Sequence, residues 1–177
     1  MSNIVFIATS LDGYIADKNN GIDWLHTLPV ADDLYMEFEQ HMENVDALVM
    51  GRNTYELVAS FDMDWPYRKP VFVLSNSLSE IPFELQEKVS LITGELNEIV
   101  VQLKTQGFEN LYIDGGITIQ HFLAQDLIDE MIITTIPIVL GGGIPLFGTL
   151  DESLMFKCIA SHCDKVGMSQ QHFVRQR

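Results

Sequence analysis

The stretch Asn110–Leu123, NLYIDGGITIQHFL, decides how the chain folds. Leu111, Tyr112 and Ile113 form a short apolar run with the β-branched and aromatic bias of a buried strand. Gly115 and Gly116 follow at once, and then Ile117, Ile119, Phe122 and Leu123 give an apolar face at helical spacing. The order strand, glycine pair, helix has a physical use. Two residues without a Cβ let the backbone come close to a bulky partner. The helix that starts there aims unpaired N–H groups and the positive end of its dipole at the same place. A phosphate fits such a junction, and so does a tight turn that holds no ligand.

Working outward, the pattern repeats. Val45–Met50 reads as a strand, followed by Gly51-Arg52-Asn53-Thr54-Tyr55 opening a helix to about Ala59. Pro70–Leu74 is a third buried-type strand, ending in Ser75-Asn76-Ser77. Ile4–Ile7 is a near-continuous apolar run, as expected of a central strand covered on both faces. Val89–Ile92 is a short strand, Leu96, Ile99, Val100 and Leu103 mark a helix, and Gly107 falls just past its end. A helix from about Asp32 to Met42 carries Leu34, Phe38 and Met42 on one face, and Met131–Ile136 is a further strand. Leu11–Gly21 reads as a long loop over the first strand's end. The tail changes character: Phe156–Cys163 and Met168–Arg175, joined through Asp164–Gly167, form a hairpin. The expected fold is α/β, a mostly parallel central sheet with helices on both faces and an antiparallel C-terminal hairpin. No internal linker appears, so residues 1–177 are taken as a single domain.

Composition narrows the function. Ten basic against twenty-five acidic residues give a net charge of −15, which argues against nucleic acid. Any anionic ligand must be held by local dipoles and a few placed cations. No apolar run approaches the roughly 20 residues of a membrane span, and the N-terminus lacks a signal-peptide pattern. Cys158 and Cys163 match no metal or redox spacing, and with no other metal-ligand pattern the expectation is a metal-free cytoplasmic protein with reduced thiols.

Three strands thus end in ligand-friendly chemistry: Gly51-Arg52-Asn53-Thr54, Leu74-Ser75-Asn76, and Gly115-Gly116. In open parallel sheets, ligands sit outside the carboxyl ends of the strands. Two helix N-termini suit two linked phosphates, and Arg52 adds a charge-assisted partner. Ser75 and Asn76 offer polar groups to a ribose, or simply close a turn. The G-x-G-x-x-G fingerprint of a standard dinucleotide dehydrogenase is absent.

Five segments in order carry a resemblance over almost the whole chain: Ala8–Ala16, Val49–Glu56, Val73–Asn76, Ile113–Gly116 and Pro137–Phe147. Together they resemble the dihydrofolate reductase-like fold. More closely they resemble the C-terminal reductase domain of the riboflavin-biosynthesis bifunctional deaminase-reductase and its stand-alone bacterial relatives. The resemblance implies NADPH as cofactor. It places Ala8 and Ile15 at the nicotinamide and Gly51, Arg52, Asn53 and Thr54 at the phosphates, with Arg52 near the 2′-phosphate. Leu74, Ser75 and Asn76 would line the adenosine, and Gly115, Gly116, Ile117 and Thr118 the pyrophosphate. Asp17–Gly21 would be a mobile flap, and the last segments would pack two copies into a homodimer.

A hydride reductase holds the nicotinamide about 3–3.5 Å from an electrophilic carbon, excludes water, and supplies a proton to the neighbouring nitrogen or oxygen. Dihydrofolate reductases place a Pro-x-Asp-Leu motif at the start of their first helix, with a threonine behind the carboxylate. This chain reads Leu28-Pro29-Val30-Ala31-Asp32-Asp33-Leu34, with longer spacing and two aspartates. Asp33 and Asp32 are the candidate acids, either of which serves equally as a helix cap, and Thr134 is the candidate support. Asp114 is expected to fix its loop through its own backbone. Glu37 and His41 read as a surface pair. There is no deaminase domain and no H-x-E…C-x-x-C zinc signature. No basic pair marks a ribose-phosphate tail; Lys18, Arg68 and Lys69 stand in only by default. The reading is an NADPH-dependent oxidoreductase of a pterin-, folate- or aminopyrimidine-like heterocycle. The alternative is a non-catalytic dimeric nucleotide-binding protein of the same fold.

Overall fold

Strand residues alternate between faces, and here both faces are apolar, so the sheet is covered on both sides. The computed structural model describes residues 2–27 and 32–177, with side chains for all of these except 32–37. The strands are β1 (Ser2–Ser10), β2 (Tyr14–Ala16), β3 (Ala47–Gly51), β4 (Val71–Leu74), β5 (Val89–Ile92), β6 (Asn110–Asp114), β7 (Glu130–Ile136), β8 (Ile144–Pro145), β9 (Phe156–Cys163) and β10 (Ser169–Arg175). The helices are α1 (Asp32–Asn44), α2 (Arg52–Ala59), α3 (Leu96–Thr105) and α4 (Gly116–Ala124). Among the described residues, eight strands form one sheet in the order β5-β4-β3-β6-β1-β7-β10-β9. β5 through β7 run parallel, and β10 and β9 close the far edge antiparallel.

Val5, Val49, Leu111 and Ile113 point to one face, where Leu103 of α3 and Ile119 and Phe122 of α4 pack on them. Leu48, Met50 and Tyr112 point to the other, where they meet Tyr55 of α2 and Phe38 and Met42 of α1. Phe122 is fully buried, and a side chain of that kind stabilises the fold by roughly 1.5–3 kcal/mol. Trp24 packs on Ile136 and Met168, so Trp24, Phe38 and Met42 are core residues.

Two expectations change. The Leu11–Gly21 loop contains β2, which pairs antiparallel with β8 outside the main sheet. A pair this short is below the length at which alternation can be read. Asp12 fastens it: its carboxylate accepts from Ser10 Oγ at 2.7 Å, Leu140 N–H at 3.1 Å and Gly141 N–H at 2.8 Å. Gly143 has no room for a Cβ, which would overlap the Ala16 carbonyl oxygen.

His41 is not part of a surface pair. It is buried, stacks on Phe6 at 5.0 Å between ring centroids, and meets Tyr112 edge-on at 5.3 Å. Burial pushes its pKa down to about 4, and its Nε2 has no hydrogen-bond partner. The helical period put position 41 beside position 37, but the aromatic sheet face below captured the ring. The Glu37 side chain lies outside the described residues. No helix among the described residues is long and apolar enough to cross a membrane.

Candidate functional site

β4, β3 and β6 are neighbours in the sheet, and their ends are in register: Gly51 stands opposite Leu74, and Met50 opposite Asp114. Their tips open into one cleft of about 1160 Å³. Ala8, Ile15, Gly51 to Thr54, Leu74 to Asn76 and Gly115 to Thr118 all lie on its wall. The structure therefore brings together every residue the sequence suggested for a dinucleotide.

The centre of the cleft is built by an exchange between two helix starts. α2 begins behind Gly51 and α4 behind Gly115, and neither N-terminus is capped by a side chain. Thr54 is the third residue of α2, and Thr118 the third of α4. A Cβ on Gly51 would lie 2.8 Å from Thr118 Oγ1, and a Cβ on Gly115 would overlap Thr54 Oγ1. Each glycine makes room for the other helix's threonine. Gly115 also has φ +90°, a backbone conformation that side chains disfavour.

The close approach expected of the glycine pair is therefore made to the protein's own side chains. Gly115 yields to Thr54. Gly116 yields to Ile15, whose Cδ1 would be 2.6 Å from an added Cβ. The phosphate argument shifts from absent side chains to the helix ends. Two positive helix ends held together repel each other, and their first-turn N–H groups have no partner within the helices. An anion on the cleft side of this junction would satisfy both, so the donor set fits a pyrophosphate.

Arg52 extends the site toward β4. Its guanidinium donates to Ser77 Oγ at 3.0 Å and stands 3.7 Å from Glu56. Ser75 Oγ accepts from Ser77 N–H at 3.2 Å and Leu78 N–H at 2.9 Å, so its oxygen closes the turn at the tip of β4. Asn76 lines the cleft beside it.

At the tip of β6 the structure shows more than the sequence suggested. Asp114 does hold its loop, accepting from Gly115 N–H at 2.8 Å. Its half-buried carboxyl also lies on the cleft wall beside Tyr67. Burial raises its pKa to about 6, partly offset by the Gly115 N–H bond. Burial likewise keeps the Tyr67 hydroxyl protonated. A carboxyl that titrates near neutral pH in a cleft has the properties of a proton donor. An acid closing a buried strand, directly before a glycine pair, is the sequence signal for it.

The acids first favoured are not in view. Asp32 and Asp33 open α1, but their side chains lie outside the described residues. Thr134 pairs in register with Ala8, but it is not on the cleft wall. It is buried, and its Oγ1 accepts from Gln170 Nε2 at 3.0 Å. Its neighbour on the other side is Gln170 of β10, a partner no local pattern announces. The Asp17–Gly21 segment is a turn in which Asp17 Oδ1 accepts from Asn19 N–H at 2.7 Å and Gly21 N–H at 2.8 Å.

Comparison with known proteins agrees with this architecture. A crystal structure from Shewanella sp. PV-4, provisionally named for riboflavin biosynthesis, is 56% identical and superposes with a TM-score of 0.96 over 100% of both chains. The uncharacterized protein YwjB of Bacillus subtilis is 39% identical over 97% of both chains. At 14% identity, a deaminase/5-amino-6-(5-phosphoribosylamino)uracil reductase of Thermotoga maritima shares the fold, with a TM-score of 0.75. It matches over 99% of this chain and 56% of that longer one. The dihydrofolate reductase of Enterococcus faecalis, solved with NADP(H), shares the fold at 16% identity, with a TM-score of 0.65 over 99% of this chain and 97% of its own. The family model described as the RibD C-terminal domain matches residues 3–168, and the chain belongs to that family.

Proposed function

We propose that this member of the RibD C-terminal domain family is an NADPH-dependent reductase of a small heterocycle, pterin-, folate- or aminopyrimidine-like. The observation that carries the reading is the paired, uncapped helix starts at Gly51 and Gly115, opening into one cleft with Arg52 at its edge. Two same-fold proteins support it: one is a uracil reductase, and the other was solved with NADP(H).

In this reading the N–H groups of α2 and α4 hold the pyrophosphate, and Arg52 with Ser77 holds the 2′-phosphate. Leu74 and Asn76 border the adenosine. Ala8 and Ile15 form the apolar wall for the nicotinamide, where they exclude water. A bound NADPH supplies a hydride, with its electron pair, to the carbon of a C=N or C=O bond. The chain supplies the matching proton to the nitrogen or oxygen. Asp114 is the donor in this reading: its carboxyl lies on the cleft wall, and a pKa raised by burial to about 6 leaves part of it protonated. The Tyr67 hydroxyl beside it stays un-ionised, because burial raises its pKa.

The protein acts as a homodimer in this reading. β9 is the last strand of the sheet and is exposed along nearly its whole length, with Met155 and Ile159 open to solvent. Light scattering gives a mass near twice 20.0 kDa if this holds, and near 20.0 kDa if it does not. The function is tested by titration with NADPH and by following NADPH oxidation with pterins, folates and aminouracils. Saturable binding with turnover of one class supports the proposal. Binding without turnover of any leaves the non-catalytic nucleotide-binding protein. No binding removes both.

A further inference from the structure

A second cavity, of about 410 Å³, lies at the other end of the strands, where β1, β6 and β7 begin and α1 finishes. Among the described residues it shares no lining residue with the cleft. Its floor is apolar. Ile4 and Phe6 of β1 and Ile132 of β7 point to the same face of the sheet, in register as Ile4 opposite Glu130 and Phe6 opposite Ile132.

Its wall holds one carboxylate among the described residues, Glu130, which is fixed on two sides. Ser2 Oγ donates to Oε1 at 2.9 Å, and His172 Nε2 lies 2.9 Å from Oε2. Each carboxylate oxygen offers two acceptor sites, so one on each is left over. His41 lines the same cavity at 8% exposure, and its Nε2 has no partner. The charges of Glu130 and His172 both reach it. A neutral imidazole accepts through Nε2 when its proton sits on Nδ1. At the rim, Asn44 Nδ2 donates to the Gln40 carbonyl oxygen at 2.9 Å, which leaves the Asn44 Oδ1 as a further acceptor.

The unused groups of this cavity are thus acceptors, and the local field has the matching sign. Gln40, His41 and Asn44 belong to the last two turns of α1, where the free carbonyls and the negative end of the helix dipole lie. A chain of net charge −15 adds to that attraction. Among the described residues no three His, Cys, Asp or Glu side chains gather as metal ligands. An ammonium group needs no such cage, because its three N–H donors can go to separate acceptors.

We propose that this cavity is a second binding site, for a small organic cation that carries a primary ammonium on a short apolar body. The ammonium lies against Glu130 and His41, and the body against Ile4, Phe6 and Ile132. The site stands independently of the reductase reading, because it uses none of the cleft's residues.

The test is a backbone amide NMR titration of the full-length protein at pH 7 with two probes of similar shape, benzylamine, which is charged, and benzyl alcohol, which is not. The expected result is saturable shifts with benzylamine at Ser2, Asn110, Glu130 and His172, and binding at least about tenfold tighter than that of the alcohol. Glu130→Gln should weaken benzylamine about tenfold and leave the alcohol unchanged. Gln40→Lys should do the same from an exposed rim position that does not bear on folding. Equal affinity for the two probes, or no loss in either variant, overturns the charge assignment. Shifts centred elsewhere, or none, overturn the site. Shifts at these four amides when protein concentration alone is raised, with none on adding benzylamine, would show that a second copy covers the cavity and would overturn the proposal as well.

Discussion

Replacing Asp114 by asparagine should stabilise the protein and slow the proposed reaction. The wild-type carboxyl moves from the ordinary 3.8 to about 6 on folding, because burial penalises its charge. Two units correspond to at most about 3 kcal/mol, and screening at the cleft wall reduces this to about 1–2 kcal/mol. The folded-state pKa lies above the unfolded one, so the native state holds the proton more tightly. The stability this gives is complete below about pH 4, drains away as pH rises through 6, and is gone above it. Asparagine carries no charge at any pH and keeps an oxygen for the Gly115 N–H. Thermal unfolding should therefore show a gain of about 2–8 °C at pH 8 that shrinks toward pH 5. NADPH oxidation at pH 7 with whichever substrate is active should fall about 10²- to 10⁴-fold. An equal gain at both pH values, or none, would refute the burial argument. Unchanged turnover would refute the assignment of Asp114 as proton donor.

Three further outcomes follow from the same geometry. His41 is held neutral, with its pKa lowered from 6.5 to about 4, so it costs stability as pH falls through that window, opposite in sign to Asp114. His41→Phe keeps the stack on Phe6 and removes an unpaired buried nitrogen, so unfolding between pH 5 and 6 should require more heat while NADPH affinity is unchanged. Arg52→Ala should weaken NADPH by about ten- to a hundredfold and NADH by much less; equal losses would remove the 2′-phosphate assignment. Gly115→Ala should cost at least about 2 kcal/mol from its positive φ and the overlap with Thr54. Adding Thr54→Ala should restore part of this in denaturant unfolding, and no recovery would show that the two helix starts are not packed as described.

Much of this was legible in the sequence because it depended on local pattern. The runs at Leu111–Ile113, Leu48–Met50 and Val71–Leu74 carry their own strand signal, and the residues after them give the junctions. Parallel strands put the three tips on one edge of the sheet, whereas the seating of β6 beside β3 rather than beside β5 is a long-range pairing that no local pattern announces. What was not legible depended on contacts distant in sequence. Thr134 is bonded to Gln170, thirty-six residues later. His41 was drawn inward by Phe6 and Tyr112. The glycines at 51 and 115 were recognised, but their partners are each other's threonines across two helices, a relation no local window contains. Asp114 shows a similar limit. Its bond to Gly115 was expected from position alone, whereas its raised pKa reflects how deeply the β6 tip sits among α2, Tyr67 and Tyr112.

The most direct test of the shared cleft is a backbone amide NMR titration with NADPH. The account predicts saturable shifts largest at Gly51–Thr54 and Gly115–Thr118, extending to Ser75–Ser77. Shifts absent from both helix starts, or centred on the far end of the sheet near Ser2, Glu130 and His172, would contradict it.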